Sequence, residues 1–263
     1  MAEASLTPTA RLLRRLVRIP SVSPDDDPGT TQTGEAKLAA FLKGWLERLG
    51  GQVSLHDVEP GRPNLLCRFP VSASRRKARI LFLPHMDTVS VAGMSVPPFA
   101  ADIRRNRIYG RGATDTKGPM AAMLMALKHH LRDHPQSRIE WHFGASMGEE
   151  SGCRGARILA QKKHDYDLVI VAEPTDCKIV HAHKGCLWLS LSVRGKAGHI
   201  STTSHADNAI HSLAPLLHHL NGGLNSWLES FRHPELGTPT CQATVIRAGT
   251  KANICPANAT VTI

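Results

Sequence analysis

The strongest pattern in the chain is an apolar run, Ile80-Leu81-Phe82-Leu83, that breaks off at Pro84-His85-Met86-Asp87-Thr88. The run is long enough for a buried strand, along which side chains alternate between faces. If the extended geometry persists to Asp87, His85 and Asp87 share a side, where a carboxylate can orient an imidazole. Earlier in the chain, Thr7-Pro8 reads as an N-cap followed by a first-turn proline. The helix it opens should run to about Ile19 and stop before Pro20, with Leu12, Leu13, Leu16 and Val17 on its buried face. Residues 21–33 are rich in Ser, Pro, Asp and Gly and read as a loop. A second helix is predicted from about Glu35 to Leu49, with Leu38, Phe41, Leu42, Trp45 and Leu49 on one face. Gly50-Gly51 ends it.

Strands are predicted at Gln52–His56, Asn64–Phe69 and Arg79–Leu83. The glycine-punctuated loop Gly110–Gly118 opens into a helix from about Pro119 to Leu131. A strand at Ile139–Ala145 closes on Ser146-Met147-Gly148-Glu149-Glu150-Ser151-Gly152. A helix from about Arg154 to Lys163 and a strand at Asp167–Val171, ending in Ala172-Glu173-Pro174-Thr175, complete the alternation. Strands alternating with helices define α/β layering. The pattern then changes. Cys177–Val193 carries two β-like runs joined near His183-Lys184-Gly185. A polar loop with Gly195, Gly198 and His199, a helix from about Asn208 to Leu220, and β-like runs at Gln242–Arg247 and Ala259–Ile263 follow. The expected organisation is an α/β domain over residues 1–184 and a small α+β domain over 185–263.

Composition narrows the functional classes. The formal charge of +10 raises nucleic acid as a partner, but Lys and Arg are scattered and no zinc-finger, RNP or helix-turn-helix signature is present. The reading is no nucleic-acid partner, with a field that favours carboxylate-bearing ligands. No apolar run approaches the ~18 residues that span a bilayer, so no membrane partner is expected. Arg11, Arg14, Arg15 and Arg18 interrupt the N-terminal leucines, which excludes a secretory signal; a basic mitochondrial presequence is a less simple reading than a first helix. The six cysteines form no CxxC pair, and reduced thiols in a cytoplasm are the expected state.

Metal-competent or acid–base residues end four predicted strands or loops: His85 with Asp87, Asp115, Glu149 with Glu150, and Glu173. Singly, Asp115 suits a helix cap, Glu149-Glu150 a solvated turn, and Glu173 a residue facing water. Open α/β sheets, however, bind ligands beyond the carboxyl ends of their strands, where residues distant in sequence converge. One imidazole with several carboxylates suits zinc, cobalt or manganese better than calcium. The oxygens suffice for two ions, which at ~3.5–4 Å would lower the pKa of a shared water and polarise a carbonyl. Neighbouring Glu149 and Glu150 point in different directions on extended backbone, so one can ligate while the other takes a proton.

These residues carry a resemblance. Pro84-His85-Met86-Asp87-Thr88-Val89, the Gly110–Gly118 loop, Gly148-Glu149-Glu150-Ser151-Gly152, Glu173-Pro174-Thr175, and Gly198-His199 before Asn208-Ala209-Ile210 stand in an order that resembles the M20 metallohydrolases, from about Thr9 to Ile263. The resemblance implies a zinc-peptidase-like mixed-sheet catalytic domain with an inserted α+β lid, or dimerisation, domain, and a homodimer formed through that lid. It implies two zinc ions, cobalt or manganese being alternatives. His85 and Glu173 would hold the first and Glu150 the second. Asp115 would bridge them, followed by a cis peptide, and Asp87 would orient His85. Glu149 would be the general base, and His199 would reach the partner subunit's site to stabilise an oxyanion. The implied reaction is hydrolysis of an amide in a small N-acyl amino acid. Glu173-Pro174-Thr175 with Ala182-His183-Lys184-Gly185 looks most like the acetylornithine deacetylase and succinyl-diaminopimelate desuccinylase branch, with dipeptidase or aminoacylase next.

The sequence departs from the family pattern in three places. Pro84 replaces a usual glycine. The stretch 200–207 after His199 lacks the usual proline and glycine. The family's last metal ligand, a histidine beyond the lid, has no counterpart before Ile263. The expectation is therefore a C-terminally truncated catalytic and lid pair with weak, single-metal occupancy and poor activity. A binding protein on a hydrolase fold is the non-enzymatic alternative.

Overall fold

The computed structural model describes residues 6–25, 27–161, 165–204 and 208–263. Helix α1 (Pro8–Val17) starts as its sequence dictates. The Thr7 hydroxyl accepts the Ala10 N–H at 3.2 Å, and Pro8 fills the first turn where no donor is needed. Helix α2 (Ala36–Glu47) buries Leu38, Ala39, Leu42 and Leu46, spaced three and four apart. Strands β1 (Gln52–Glu59), β2 (Arg62–Phe69) and β3 (Ala78–Leu83) follow, then a hairpin of β4 (Asp102–Arg104) and β5 (Arg107–Tyr109). Helix α3 (Lys117–Asp133), strand β6 (Ile139–Ala145), helix α4 (Arg154–Gln161) and strand β7 (Leu168–Val171) come next. The last expected residues of α4, at 162–163, lie outside the described residues.

The sheet order is β1-β2-β6-β3-β7. β1 with β2 and β2 with β6 are antiparallel, whereas β6 with β3 and β3 with β7 are parallel. The registers pair Phe82 with Phe143 and Leu83 with Val171. The carboxyl ends of β3, β6 and β7 therefore lie side by side. Leu16, Leu38, Leu42, Leu65, Met86, Met120, Leu124, Leu127 and Phe143 form one core between the sheet and α1, α2 and α3. Each fully buried aliphatic or aromatic side chain of this kind contributes roughly 1.5–3 kcal/mol.

Contacts divide the chain into two compact units, Met1–Cys177 and Lys178–Ile263. The second contains β8 (Ser190–Arg194), β9 (Gly198–His199), helix α5 (Ala209–His219), β10 (Val245–Ala248), β11 (Ile254–Cys255) and β12 (Asn258–Thr262). β10, β12 and β8 form an antiparallel sheet, and β9 pairs with β11. α5 is capped by Asn208, whose side chain accepts the Ile210 and His211 N–H groups. It packs Ala209 and Leu213 on Ala259 and Val261.

Two local expectations change. Of the two β-like runs within Cys177–Val193, only the second is a strand. Leu189 exchanges backbone hydrogen bonds with Ile263, but Ile179, Leu187 and Trp188 are 94%, 76% and 72% exposed. An extended apolar run becomes a strand only where another strand meets it. The β4–β5 hairpin went unread because its turn residues are Arg105 and Asn106, both at positive φ (49° and 61°), and not the usual glycine pair.

Candidate metal centre

Each candidate residue stands just past a strand end or just before a helix. His85 follows β3, Glu149 and Glu150 follow β6, Glu173 follows β7, and Asp115 precedes α3. Backbone bonds knit these ends together. Met86 donates to Ser146 and Ser146 to Pro84, while Ala172 donates to Leu83. The Asp115–Thr116 peptide is cis. Thr116 Oγ1 donates to the Ala172 carbonyl at 2.6 Å, tying the Asp115 loop to the end of β7. Lys117, fully buried at the start of α3, donates through Nζ to the Ile19 carbonyl at 2.7 Å, and burial pushes its ammonium down to about 7.

His85 is buried, with Nε2 2.9 Å from Asp115 Oδ1. Its Nδ1 lies 3.0 Å from the Asp87 carbonyl oxygen and 3.4 Å from Asp87 Oδ1. The closer orienting contact is thus the carbonyl. The Asp87 carboxylate accepts the Glu149 N–H at 2.9 Å on Oδ1 and the Glu150 N–H at 3.0 Å on Oδ2. Asp87 therefore fixes both the imidazole and the turn that bears the two glutamates.

Donor atoms of His85, Asp115 and Glu173 lie within 4.8 Å of one another, as do those of His85, Glu149 and Glu150. His85 belongs to both sets. Four carboxylates and one imidazole thus converge, beside the Asp87 carboxylate. Burial raises Glu150 to about 7, and Asp115, Glu149 and Asp87 add to the rise against the opposing pull of His85. Glu173 is raised by burial first and by the same carboxylates, again against His85. Burial opposes protonation of His85, yet Asp87, Asp115 and Glu149 carry it up to about 9. Glu150 and Glu173, crowded until they resist ionisation beside a histidine drawn towards its protonated form, make a site that added positive charge would relieve. This donor set fits a borderline divalent cation.

The other expected residue, His199, lies on β9 in the second unit, exposed, with Nδ1 2.8 Å from Ser201 Oγ. Part of the stretch after it, residues 205–207, lies outside the described residues. A hollow of about 480 Å³ lined by His130, Asp133, His134 and Ser137 sits at the far end of α3 from Asp115. The converging donors, and not this hollow, locate the centre.

The sequence reading missed Glu35, Arg62 and Asn64. All three are buried and contact one another's elements or the glutamate-bearing turn. Asn64 accepts the Met147 N–H at 3.0 Å and donates to the Gly155 carbonyl at 2.9 Å. Arg62 pairs side-on with Glu35 at 2.7 and 2.9 Å. The available signal was two polar residues in β2, a strand whose other positions are mostly apolar and buried.

A mixed sheet with acidic and imidazole donors gathered at its carboxyl edge defines a class of metallohydrolase folds. The family model for peptidase family M20/M25/M40 matches residues 81–259, so the chain belongs to that family. Among curated relatives, it is 29% identical over 229 residues to an acetylornithine deacetylase of Aliivibrio fischeri, covering 86% of this chain. The chain spans 58% of the length of that relative. Among solved structures, an M20 family metallo-carboxypeptidase of Sulfolobus solfataricus superposes with a TM-score of 0.75 at 22% identity, over 98% of this chain and 70% of the other. Human carnosine dipeptidase 1 superposes with a TM-score of 0.67 at 18% identity, over 97% and 68%. These two establish the shared fold.

Proposed function

We propose that the protein hydrolyses the amide bond of N-acylated amino acids, with N-acetylornithine-type deacetylation as its leading activity. The observation that carries this reading is the convergence of His85, Asp115, Glu149, Glu150 and Glu173 at one sheet edge. The 29% identity to an acetylornithine deacetylase supports the choice of substrate over desuccinylation or dipeptide cleavage. His85, Asp115 and Glu173 would hold one divalent cation, and Asp115 with Glu150 a second. Zinc is the leading candidate, with cobalt or manganese as alternatives. When bound, such cations polarise a carbonyl and lower the pKa of a water.

The chain's own residues then move the proton. Glu149 takes it from the attacking water and passes it to the leaving amine. Asp87 keeps the Glu149–Glu150 turn in place during the transfer by accepting both backbone N–H groups. His199, from the partner subunit of a homodimer joined through the second unit, stabilises the oxyanion. In this reading residues 1–184 are the catalytic part and 185–263 the lid. Among the described residues no helix is long and apolar enough to cross a membrane. Free thiols at all six cysteines fit the proposed cytoplasmic setting.

The test is a panel of N-acetyl, N-succinyl and dipeptide substrates offered to the protein reconstituted with zinc or cobalt, with amine release as the readout. N-acetylornithine should be cleaved faster than the succinyl and dipeptide substrates. Bound metal with no cleavage of any substrate would defeat the enzymatic reading and leave that of a binding protein on a hydrolase fold.

A further inference from the structure

Four consecutive backbone N–H groups lead into the glutamate pair, and each is accepted by a side chain from elsewhere. Met147 N–H goes to Asn64 Oδ1 at 3.0 Å, and Gly148 N–H to Glu35 Oε1 at 3.2 Å. Glu149 and Glu150 N–H go to the two oxygens of Asp87. The carbonyls of Met147, Gly148 and Glu149 accept backbone N–H groups from residues 152–155, but the N–H side of the turn is met by these three remote side chains, so its placement against β2 and α2 depends on them. Glu35 is wholly buried at the start of α2, where a carboxylate is costly unless paired. Arg62 supplies the pairing through Nε and Nη2, and its Nη1 reaches Glu59 Oε2 at 2.9 Å and Asp25 Oδ2 at 3.5 Å. Arg154, just beyond the turn, bonds the same Asp25 and Glu59. Arg62 thus bonds both oxygens of Glu35, and the same Oε1 also accepts from Gly148.

We propose that Glu35 and Asn64 are positioning residues for the metal centre. They hold Met147 and Gly148 so that Glu149 and Glu150 project into the donor cluster, and Arg62 holds the Glu35 side chain in place. The proposal rests on the reading of that cluster as a metal site.

Cobalt binding, followed by visible absorption, separates positioning from simple stabilisation. Glu35→Met with Arg62→Met removes the acceptor at Gly148 but replaces a buried ion pair by apolar groups of similar bulk, a change folds often tolerate. Asn64→Leu removes the acceptor at Met147 and leaves the ion pair alone. Both variants, folded by circular dichroism, should bind cobalt 10–100-fold more weakly, with shifted absorption bands, as expected when a group supporting a ligand is lost. Glu35→Gln keeps an oxygen for Gly148 while spoiling the ion pair. It should melt lower yet keep wild-type cobalt affinity and bands. Unchanged cobalt binding in a folded double variant or in Asn64→Leu overturns the proposal. So does a Glu35→Gln protein whose cobalt affinity falls in step with its melting temperature. Failure of the wild-type protein to take up cobalt would instead overturn the metal-site reading itself.

Discussion

At the scale of single residues, Asp87 carries more of the site than its size suggests. It is buried, contacts His85, and accepts two N–H groups from 62 and 63 residues away. Asp87→Ala orphans both donors, at about 1–3 kcal/mol for each buried group left unpaired. Urea unfolding should show a loss of that order, and cobalt affinity should drop with it. Glu149→Gln tests a different role. It should retain metal while turnover falls roughly 10²–10⁴-fold, the span for loss of a general base. His85, Asp115, Glu149, Glu150 and Glu173 were conspicuous in the sequence because each interrupts an apolar or glycine-rich stretch at an element's end. Glu35 was not. A glutamate at a helix N-terminus ordinarily faces water and favours the helix dipole. Its burial depends on Arg62, 27 residues on, and on Gly148, 113 residues on. No periodicity marks such pairings.

At the scale of elements, β6 ties together a second polar cluster. His142 is buried, with Nδ1 2.8 Å from the Tyr166 hydroxyl and Nε2 3.1 Å from Glu140 Oε1. Glu140 also accepts from Arg79 at 2.6 Å. A neutral imidazole satisfies both contacts: Nε2–H donates to Glu140, and Nδ1 accepts the tyrosine hydroxyl. Burial pushes His142 down to about 4; Glu140 opposes the shift, and Arg68 and Arg79 add to it. Below its ordinary 6.5 the unfolded chain takes up a proton that the folded chain refuses. Stability is therefore full above that pH and is lost as pH falls towards 4, by roughly 1–3 kcal/mol from this group. His142→Gln should flatten that part of the pH profile in thermal melts from pH 7 to 4. The junction of β6 with α4 is equally exacting. A Cβ on Gly155 would stand 2.4 Å from Asn64 Oδ1 and 2.5 Å from the Met147 carbonyl. Gly155→Ala should cost about 1–3 kcal/mol in chemical denaturation, in the range of an overpacked core. Helix caps and strand bodies were readable here because they are local. The 177–189 run and the β4–β5 hairpin were not, since strand pairing and left-handed turns are settled by partners and by backbone conformation.

At the scale of the whole molecule, β7 stands out. Leu168, Val169, Ile170 and Val171 are 48%, 43%, 38% and 58% exposed, and β3 is the neighbour on one side. Among the described residues no strand pairs with the other edge. Apolar edges of this kind invite association with other chains. Val169→Lys should reduce concentration-dependent light scattering while leaving the melting temperature nearly unchanged. The donors of the metal centre were gathered from strands that alternate with helices, and that long-range convergence also sets a timetable. His85 meets Asp115 across 30 residues, and Asp87 meets Glu149 across 62, a contact that needs β6 already aligned on β3. Non-local pairings of this kind form late. A cation therefore arrives at a chain that has already crossed its folding barrier: it should slow unfolding while leaving the refolding rate alone, acting as a latch on the finished fold and not as a seed for it.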